Sequence, residues 1–558
     1  MKFPRAILLL AFSLSRLAGG EVTPAQNAAA LMPRHGTVML QPSKNWEGGL
    51  AAGNGTLGAM LYGNPEKDTL LVNHSKLWLP TGSREVLPNG GDFLSEMRRI
   101  IGEKGYGEGQ KFFLEKAKEG GWGGTLVWTD AFHPGFFLDL TQAQAGAVTD
   151  YARIEDFSAG ETWVQWKNDD GAFTRRMFVS RTDNTLVTTT TGPKGKVSLK
   201  IQLPKPNSPL IESTISHSPD WITCHNVYVK GKGGYDGAVR VISEGGKRES
   251  DGNSVTIAGA DSVTLLIRIL PWRTPLPGSQ AWPNDPENPD FTGPERKVQR
   301  STVQIPGKAY KPEWMEALKS DLASMSGDYS TLFKPHTAAW STLFDRVSVD
   351  LGGTAEERGL PSGSLLDKAE QEKRLSPALL ERMYDAGRYV FMCSAGPEAP
   401  PNLFGIWGGT WQPAWSGDYT TDTNLQLDTE LAYSANLAEC MTGYYHLWDS
   451  YMPDLRRNAE VPLQLQRHPD RQPLIQQWSR SPLGQGLAGK PVDSGRQLDG
   501  ASGIRSLSLH RGPRIPAPHR DPVHEGLRVV LGGLPEGHRG QGWPLYLPPF
   551  LFRGKWVG

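Results

Sequence analysis

The sequence predicts an α+β multidomain chain. An N-terminal antiparallel β-sandwich comes first, then a helical linker, the start of an incomplete (α/α)-type helical barrel, and a disordered tail. Three observations predict it. From about Thr37 to Gln304 the apolar residues mostly recur with period two. From Pro306 to about Tyr451 they recur at helical spacing. Beyond residue 460 neither period survives. The boundaries read as 1–20 for a signal peptide, 21–305 for the sandwich, 306–375 for the linker, 376–460 for the barrel start and 461–558 for an aberrant low-complexity tail.

The first segment reads as an export signal. Lys2 and Arg5 give a charged start, Ala6 to Leu14 a short apolar run, and Ala18, Gly19 and Gly20 a small-residue cleavage site. That run is too short to span a bilayer, and every later apolar run is broken by charge, Pro or Gly. The expected location is therefore secreted or periplasmic, with no membrane span. Three cysteines, Cys224, Cys393 and Cys440, make neither a disulfide scaffold nor a metal-ligand spacing, so no metal and no cofactor is expected. Net charge is +0 and the pI about 7.2, which excludes a nucleic-acid or anionic-membrane field.

Within the sandwich, the segments GAMLYG, DTLLVNH, GFFLDL, ETWVQWK, AFTRRMFVSR, NTLVTTTT, KVSLKIQL, SVTIAG and SVTLLIRIL read as strands, with Gly, Asp and Asn between them. Many strands at short spacing predict a large antiparallel sandwich. One helix, roughly Asp92 to Lys118, interrupts it, with Phe93, Met97, Ile100 and Ile101 on one face. In the linker, Pro312 opens a helix on which Trp314, Leu318 and Leu322 recur. Ser330 to Val347 reads as a second helix, and His336 on it reads as a packing or surface residue because no ligating partner shares its face.

Ser376-Pro377 supplies an N-cap and a first-turn Pro for a strong helix whose buried face is read as Leu379, Leu380, Met383, Ala386, Val390 and Cys393. Asn424 to Tyr451 reads as a further long apolar helix. Between them lies the stretch that carries the functional reading. It places Trp407, Trp411 and Trp415 at four-residue intervals, followed by Asp418, Tyr419, Asp422, Asn424, Gln426, Asp428 and Glu430. Indole faces stack on pyranose C–H faces, and carboxylates and amides bond ring hydroxyls. Glycosidic cleavage also needs carboxylates as acid and base. The alternative is a Trp-rich turn entering a buried helix, with its polar residues as caps.

The wording of this stretch resembles the catalytic domain of glycoside hydrolase family 95, the inverting α-L-fucosidases and their relatives. Pro400, Asn402, Leu403, Gly405, Trp407, Trp415, Ser416, Tyr419, Thr420, Asn424, Asn436, Leu437, Glu439 and Cys440 carry the resemblance. Gly53, Asn54, Gly55, Leu57 and Gly58, then Asn73, Leu77 and Trp78, match segments near the family's start, where a structural role in turns is the expectation. Phe404 stands where the family has Gln, and Asp422 where it has the first of two functional asparagines.

The resemblance implies an (α/α)6 barrel after the sandwich and linker, and an oligosaccharide or glycan as the partner. It implies Asn424 and Asp422 as catalytic positions, and Trp407, Trp411, Trp415, Asp418, Tyr419 and Asn402 as substrate-binding. The family's general acid and base belong to segments with no recognisable counterpart here. Asp422 is read either as a carboxylate that pulls the attacking water's proton or as a cap of the next helix.

From Val461 onward there are eleven Arg against two Lys, and five of the twelve His. Those 98 residues cannot hold the ten or so further helices a barrel needs. A reading-frame shift near residue 460 and a genuine disordered tail are the two explanations. The functional expectation is hydrolysis of terminal α-L-fucosyl or related L-galactosyl linkages with inversion. A catalytically inactive glycan-binding remnant and an inverting glycoside phosphorylase are the alternatives.

Overall fold

A computed structural model describes residues 24–80, 90–120, 129–230, 233–273, 312–421 and 423–451. The proposed signal peptide, Asp422 and the tail lie outside the described residues. The dominant element is a 14-stranded sheet in which every pairing is antiparallel. In hydrogen-bonded order it runs Gly36–Met39, Thr149–Asp156, Glu161–Asn168, Gly171–Val179, Leu186–Thr191, Val255–Arg273, Val197–Gln202, Phe136–Gln142, Lys67–His74, Leu57–Leu61 and Leu50–Gly53. Ile211–Ser218, Trp221–Tyr228 and Gly233–Ser250 extend it from the side of Val255–Arg273. A separate pair, Trp78–Leu79 with Phe132–Ala131, sits beside it.

All nine expected segments are extended, although SVTIAG and SVTLLIRIL prove to be two parts of the one strand Val255–Arg273. Alternation explains them: Phe136–Gln142 buries every second side chain, and Val197–Gln202 does the same. The buried sets meet in one core that includes Leu70, Val72, Leu138, Trp166, Met177, Ile201 and Ile267. Lys67–His74 is apolar on both faces for a reason. Leu70 and Val72 enter that core, while Leu71 faces a second core shared with the helices.

The helices are α1 (Pro24–Leu31), α2 (Leu94–Lys104), α3 (Tyr106–Glu119), α4 (Glu313–Ser324), α5 (Tyr329–Phe344), α6 (Ala355–Arg358), α7 (Ser362–Glu372), α8 (Pro377–Ser394), α9 (Asn424–Thr429) and α10 (Leu431–Ser434). The expected helix over 92–118 is split by Gly105, whose φ of +86° suits glycine. Helices α4 and α5 lay Leu318, Leu322 and Leu332 on Phe178, Val187 and Leu266, so this part of the linker covers the sheet's outer face. His336 is fully buried. Its ring nitrogens meet the Arg181 backbone N–H and the Gly160 carbonyl, which makes it a packing residue.

Ser376 caps α8, accepting from Leu379 N–H at 3.3 Å. The expected buried face of α8 needs correction. Leu380 is 37% exposed, whereas Glu381, Asp385 and Arg388 are buried. Each of the three has distant partners. Glu381 takes Arg358 and the Leu351 and Gly353 N–H groups, Asp385 takes His35 at 2.8 Å, and Arg388 donates to the carbonyls of Leu343, Phe344 and Ala435. The expected long helix over 424–451 is broken in its first part and forms as a regular helix only over 442–451. Helices α9 and α10 are short, and Asn436 adopts φ 54°, a left-handed conformation that ends helical winding.

Candidate glycan-binding loop

Residues 402–421 cross from the end of α8 to α9 over a floor supplied by the sandwich. The turn begins at Asn402, whose Oδ1 accepts from Phe404 N–H at 2.8 Å and whose backbone pairs with Gly405. Phe404, the departure from the family's Gln, packs edge-on against Trp46 at 5.9 Å. Gly405 has φ +69°. Gly409 lies so close to Trp46 that a Cβ there would stand 2.3 Å from the indole.

The floor holds the loop at four places. Asn73, fully buried, donates to the Gly408 carbonyl at 3.0 Å. His133 stacks on Trp411, with ring centres 5.0 Å apart and planes 16° from parallel. The Thr129 hydroxyl donates to Asp418 Oδ2 at 2.9 Å. Trp78 packs on Tyr419 at 5.3 Å.

The three tryptophans have three different environments. Trp407 is fully buried, and its indole N–H donates to the Ala52 carbonyl at 3.0 Å. It is a core residue that joins loop to sandwich, and it offers no face to a sugar, contrary to expectation. Trp411 is half-buried. Trp415 is 71% exposed. It stands in a left-handed turn, with φ 49° at Trp415, 58° at Ser416 and 58° at Gly417, and Thr420 follows at 41°. Non-glycine residues avoid this region, and such strain gathers at functional sites.

Two further corrections concern buried polar residues. Tyr419 is 2% exposed, in a cluster with Trp78, Phe132, Leu425 and Leu447. Asn402 is 4% exposed and occupied by its own turn. Neither can reach a ligand in this arrangement. Asp418 is half-buried and fully engaged: Oδ2 takes Thr129, while Oδ1 takes the Thr420 N–H at 2.9 Å and hydroxyl at 2.5 Å. It orders the loop. Asn424 is exposed as the first residue of α9, whose N-cap Thr423 makes no side-chain capping bond. On the same helix Asp428 is also exposed. Among the described residues, Trp411, Trp415 and Asn424 therefore remain as solvent-reachable members of the expected set.

A cleft of about 410 Å³ opens between the Gly-Asn-Gly turn and the ends of the helical segments. Asn54, Thr56, Arg181, Asn184, Glu398 and Glu439 line it. Asn54 is structural: Oδ1 accepts from Thr56 and Leu57 N–H, and Nδ2 donates to the Ser180 carbonyl and Asn184. Gly55 needs its glycine, having φ +85° and lying where a Cβ would stand 2.2 Å from Gly396 Cα. Among the described residues no group of three or more His, Cys, Asp or Glu could hold a metal ion, and no helix is long and apolar enough to cross a membrane. Sequence reasoning passed over Thr129 and His133, because neither lies in a motif or an alternating run.

An antiparallel sandwich is thus followed by helices, with an aromatic and acidic loop where the two meet. Residues 38–270 match the family model for the N-terminal domain of glycosyl hydrolase family 65, and residues 328–466 match that for the glycosyl hydrolase family 95 catalytic domain. The second match places the loop and the helices around it in a segment similar to the family 95 catalytic domain. "Probable alpha-fucosidase A" of Aspergillus oryzae is 26% identical over 433 residues, covering 73% of this chain and 54% of that protein. "Alpha-L-fucosidase 2" of Arabidopsis thaliana is 23% identical over 455 residues, covering 75% of this chain and 49% of that protein. The chain thus spans about half the length of the curated relatives it matches. A solved structure, "Putative kojibiose phosphorylase from human microbiome", superposes with a TM-score of 0.36 at 7% identity, over 68% of this chain and 44% of that one, a likeness that carries no argument.

Proposed function

We propose that this chain serves an exported glycoside hydrolase that removes terminal α-L-fucosyl or related L-galactosyl groups from glycans with inversion. The observation that carries the proposal is Trp415. A large apolar ring is held 71% exposed on a strained turn, inside the segment that matches the family 95 catalytic domain. Burial would normally claim such a ring, and its exposure fits a stacking face for a sugar.

The chemistry asks more than stacking. Inversion needs an acid and a base roughly 6.5–9.5 Å apart with a water between them. Asn424 and Asp422 are assigned to that water. The Asn424 amide can both donate and accept, while the Asp422 carboxylate can accept the water's proton. Asp418 is excluded from proton transfer because its hydrogen bonds hold the loop.

The test is incubation of the chain with an aryl α-L-fucoside, with and without phosphate. Turnover without phosphate, releasing β-L-fucose by proton NMR, is expected. Turnover only with phosphate would identify a phosphorylase. Binding without turnover would identify a glycan-binding protein, the reading that follows if acid and base are absent. Neither binding nor turnover would refute both.

A further inference from the structure

The sandwich does more than lie under the loop. His133 follows the short strand Ala131–Phe132 and is fully buried. The Pro134 carbonyl, 2.8 Å from Nδ1, can only accept, so Nδ1 carries the hydrogen. Nε2 is then an acceptor, and the Tyr228 hydroxyl donates to it at 2.9 Å. Both ring nitrogens are fixed, so the imidazole plane is fixed. Burial holds this histidine down at about 4, so the ring stays neutral at ordinary pH.

The fixed plane is the one Trp411 stacks against, 5.0 Å away at 16°. Tyr228 and Tyr235 wall the imidazole at 5.6 and 5.7 Å, and Tyr235 is pinned through its hydroxyl to the Gly135 carbonyl. The Asn73 amide reaches the Gly408 carbonyl at 3.0 Å and the His133 carbonyl at 3.5 Å. One buried side chain thus ties the imidazole's own backbone to the loop three residues before Trp411.

We infer that His133 is a positioning residue for the glycan site, setting the pose of the Trp411 indole through the Tyr228–His133–Trp411 chain with Asn73 as its brace. The inference rests on the reading of the loop as a sugar site. Its structural part can be tested without a sugar. Trp411 packs against the sandwich core, yet remains half-open to solvent, so it presents one supported ring to a ligand. Without the imidazole the ring has no fixed plane behind it.

The experiment uses the full chain labelled with 5-fluorotryptophan, with the Trp411 signal assigned by Trp411→Phe. In His133→Ala the Trp411 line is expected to move and broaden while the line of Trp340, on α5 in the second core, holds. In His133→Phe, which restores a ring but not the hydrogen bonds that fix its plane, the line should also move, though less than in His133→Ala. The KM for the aryl fucoside, or its Kd if turnover is absent, should rise roughly three- to tenfold in His133→Ala, the range of one aromatic pair. The kcat, where measurable, should change less than twofold, and His133→Phe should recover only part of the loss in affinity. A general structural defect would move the Trp340 line as well.

An unmoved Trp411 line in a folded His133→Ala chain overturns the inference. If that variant does not fold, Tyr228→Phe removes the donor to Nε2, and an unmoved line there overturns it equally. A moved line with unaltered affinity also overturns it, because the pose would then not matter to the ligand. A wild-type chain that neither binds nor cleaves the fucoside overturns the glycan reading, and with it the positioning role. The Trp411 line still reports separately whether His133 holds the ring.

Discussion

Trp415 allows stability and binding to be separated. Its ring is 71% exposed. With under a third of roughly 150–250 Å² covered, truncation to Ala removes on the order of 1–2 kcal/mol of packing at about 25 cal/mol per Å². The backbone there has φ 49° and ψ 36°. That conformation costs an L-residue about 1–2 kcal/mol and costs glycine almost nothing. At an ordinary position Gly is less stable than Ala by about 0.5–1 kcal/mol, because it loses more freedom on folding. At 415 the order should reverse, with Trp415→Gly more stable than Trp415→Ala by about 1 kcal/mol. Urea unfolding read by circular dichroism would show this as a midpoint shift of roughly 0.3–1 M. Both variants lack the indole, so both should lose affinity for the aryl fucoside equally. Trp415→Ala matching or exceeding Trp415→Gly in stability would refute the strain argument. Unchanged affinity in both would refute the stacking face.

Four other outcomes are expected. Arg175 and Asp68 form a fully buried ion pair at 2.5 Å, so Arg175→Leu should cost about 3–5 kcal/mol in urea unfolding, and the double change Asp68→Leu/Arg175→Met should recover much of it. Asn54→Ala strands the Thr56 and Leu57 N–H groups, and a loss of about 2–3 kcal/mol should appear in the same assay. His336 is held down at about 4 by burial, against 6.5 when free. The folded state therefore binds fewer protons between those values, stability should fall as pH drops from about 6.5 to 4, and His336→Gln should flatten that slope in midpoints measured across the range. Glu155 is pushed up to about 7 by burial, from 4.5, so its contribution has the opposite sign. Stability should fall as pH rises from about 4.5 to 7, and Glu155→Gln should raise the midpoint at pH 8 relative to wild type.

The fold was legible where one face of a strand or helix repeats. Phe136–Gln142 and Val197–Gln202 alternate strictly, and Ser376 marks its helix start with a cap that forms. Trp221–Tyr228 also alternates, burying Ile222, Cys224, Asn226 and Tyr228, but its buried set includes a cysteine and an amide, so the apolar signal is weak. Its neighbour Gly233–Ser250 is hidden by glycines and charges. The face of α8 was misread for a different reason. Periodicity assumes that apolar residues are buried first, but Glu381, Asp385 and Arg388 have partners distant in sequence that repay their burial.

The site shows the same limit more sharply. Trp407, Trp411 and Trp415 recur at four-residue intervals, and residue type together with the family resemblance implied all three as stacking surface for a sugar. The segment is not helical there. A turn at Asn402–Gly405 and a left-handed run at 415–417 redirect the chain between successive indoles. The first ring is therefore sent into the core, the second onto His133 and the third into solvent. Residue type identified which loop carries aromatic surface, but backbone dihedrals decide which ring is wet. Those dihedrals are imposed by the sandwich floor, through Asn73 on Gly408 and Thr129 on Asp418. A loop that looks self-contained in sequence is thus shaped by residues about 280 to 340 positions earlier, and its stacking geometry belongs as much to the sandwich as to the helices.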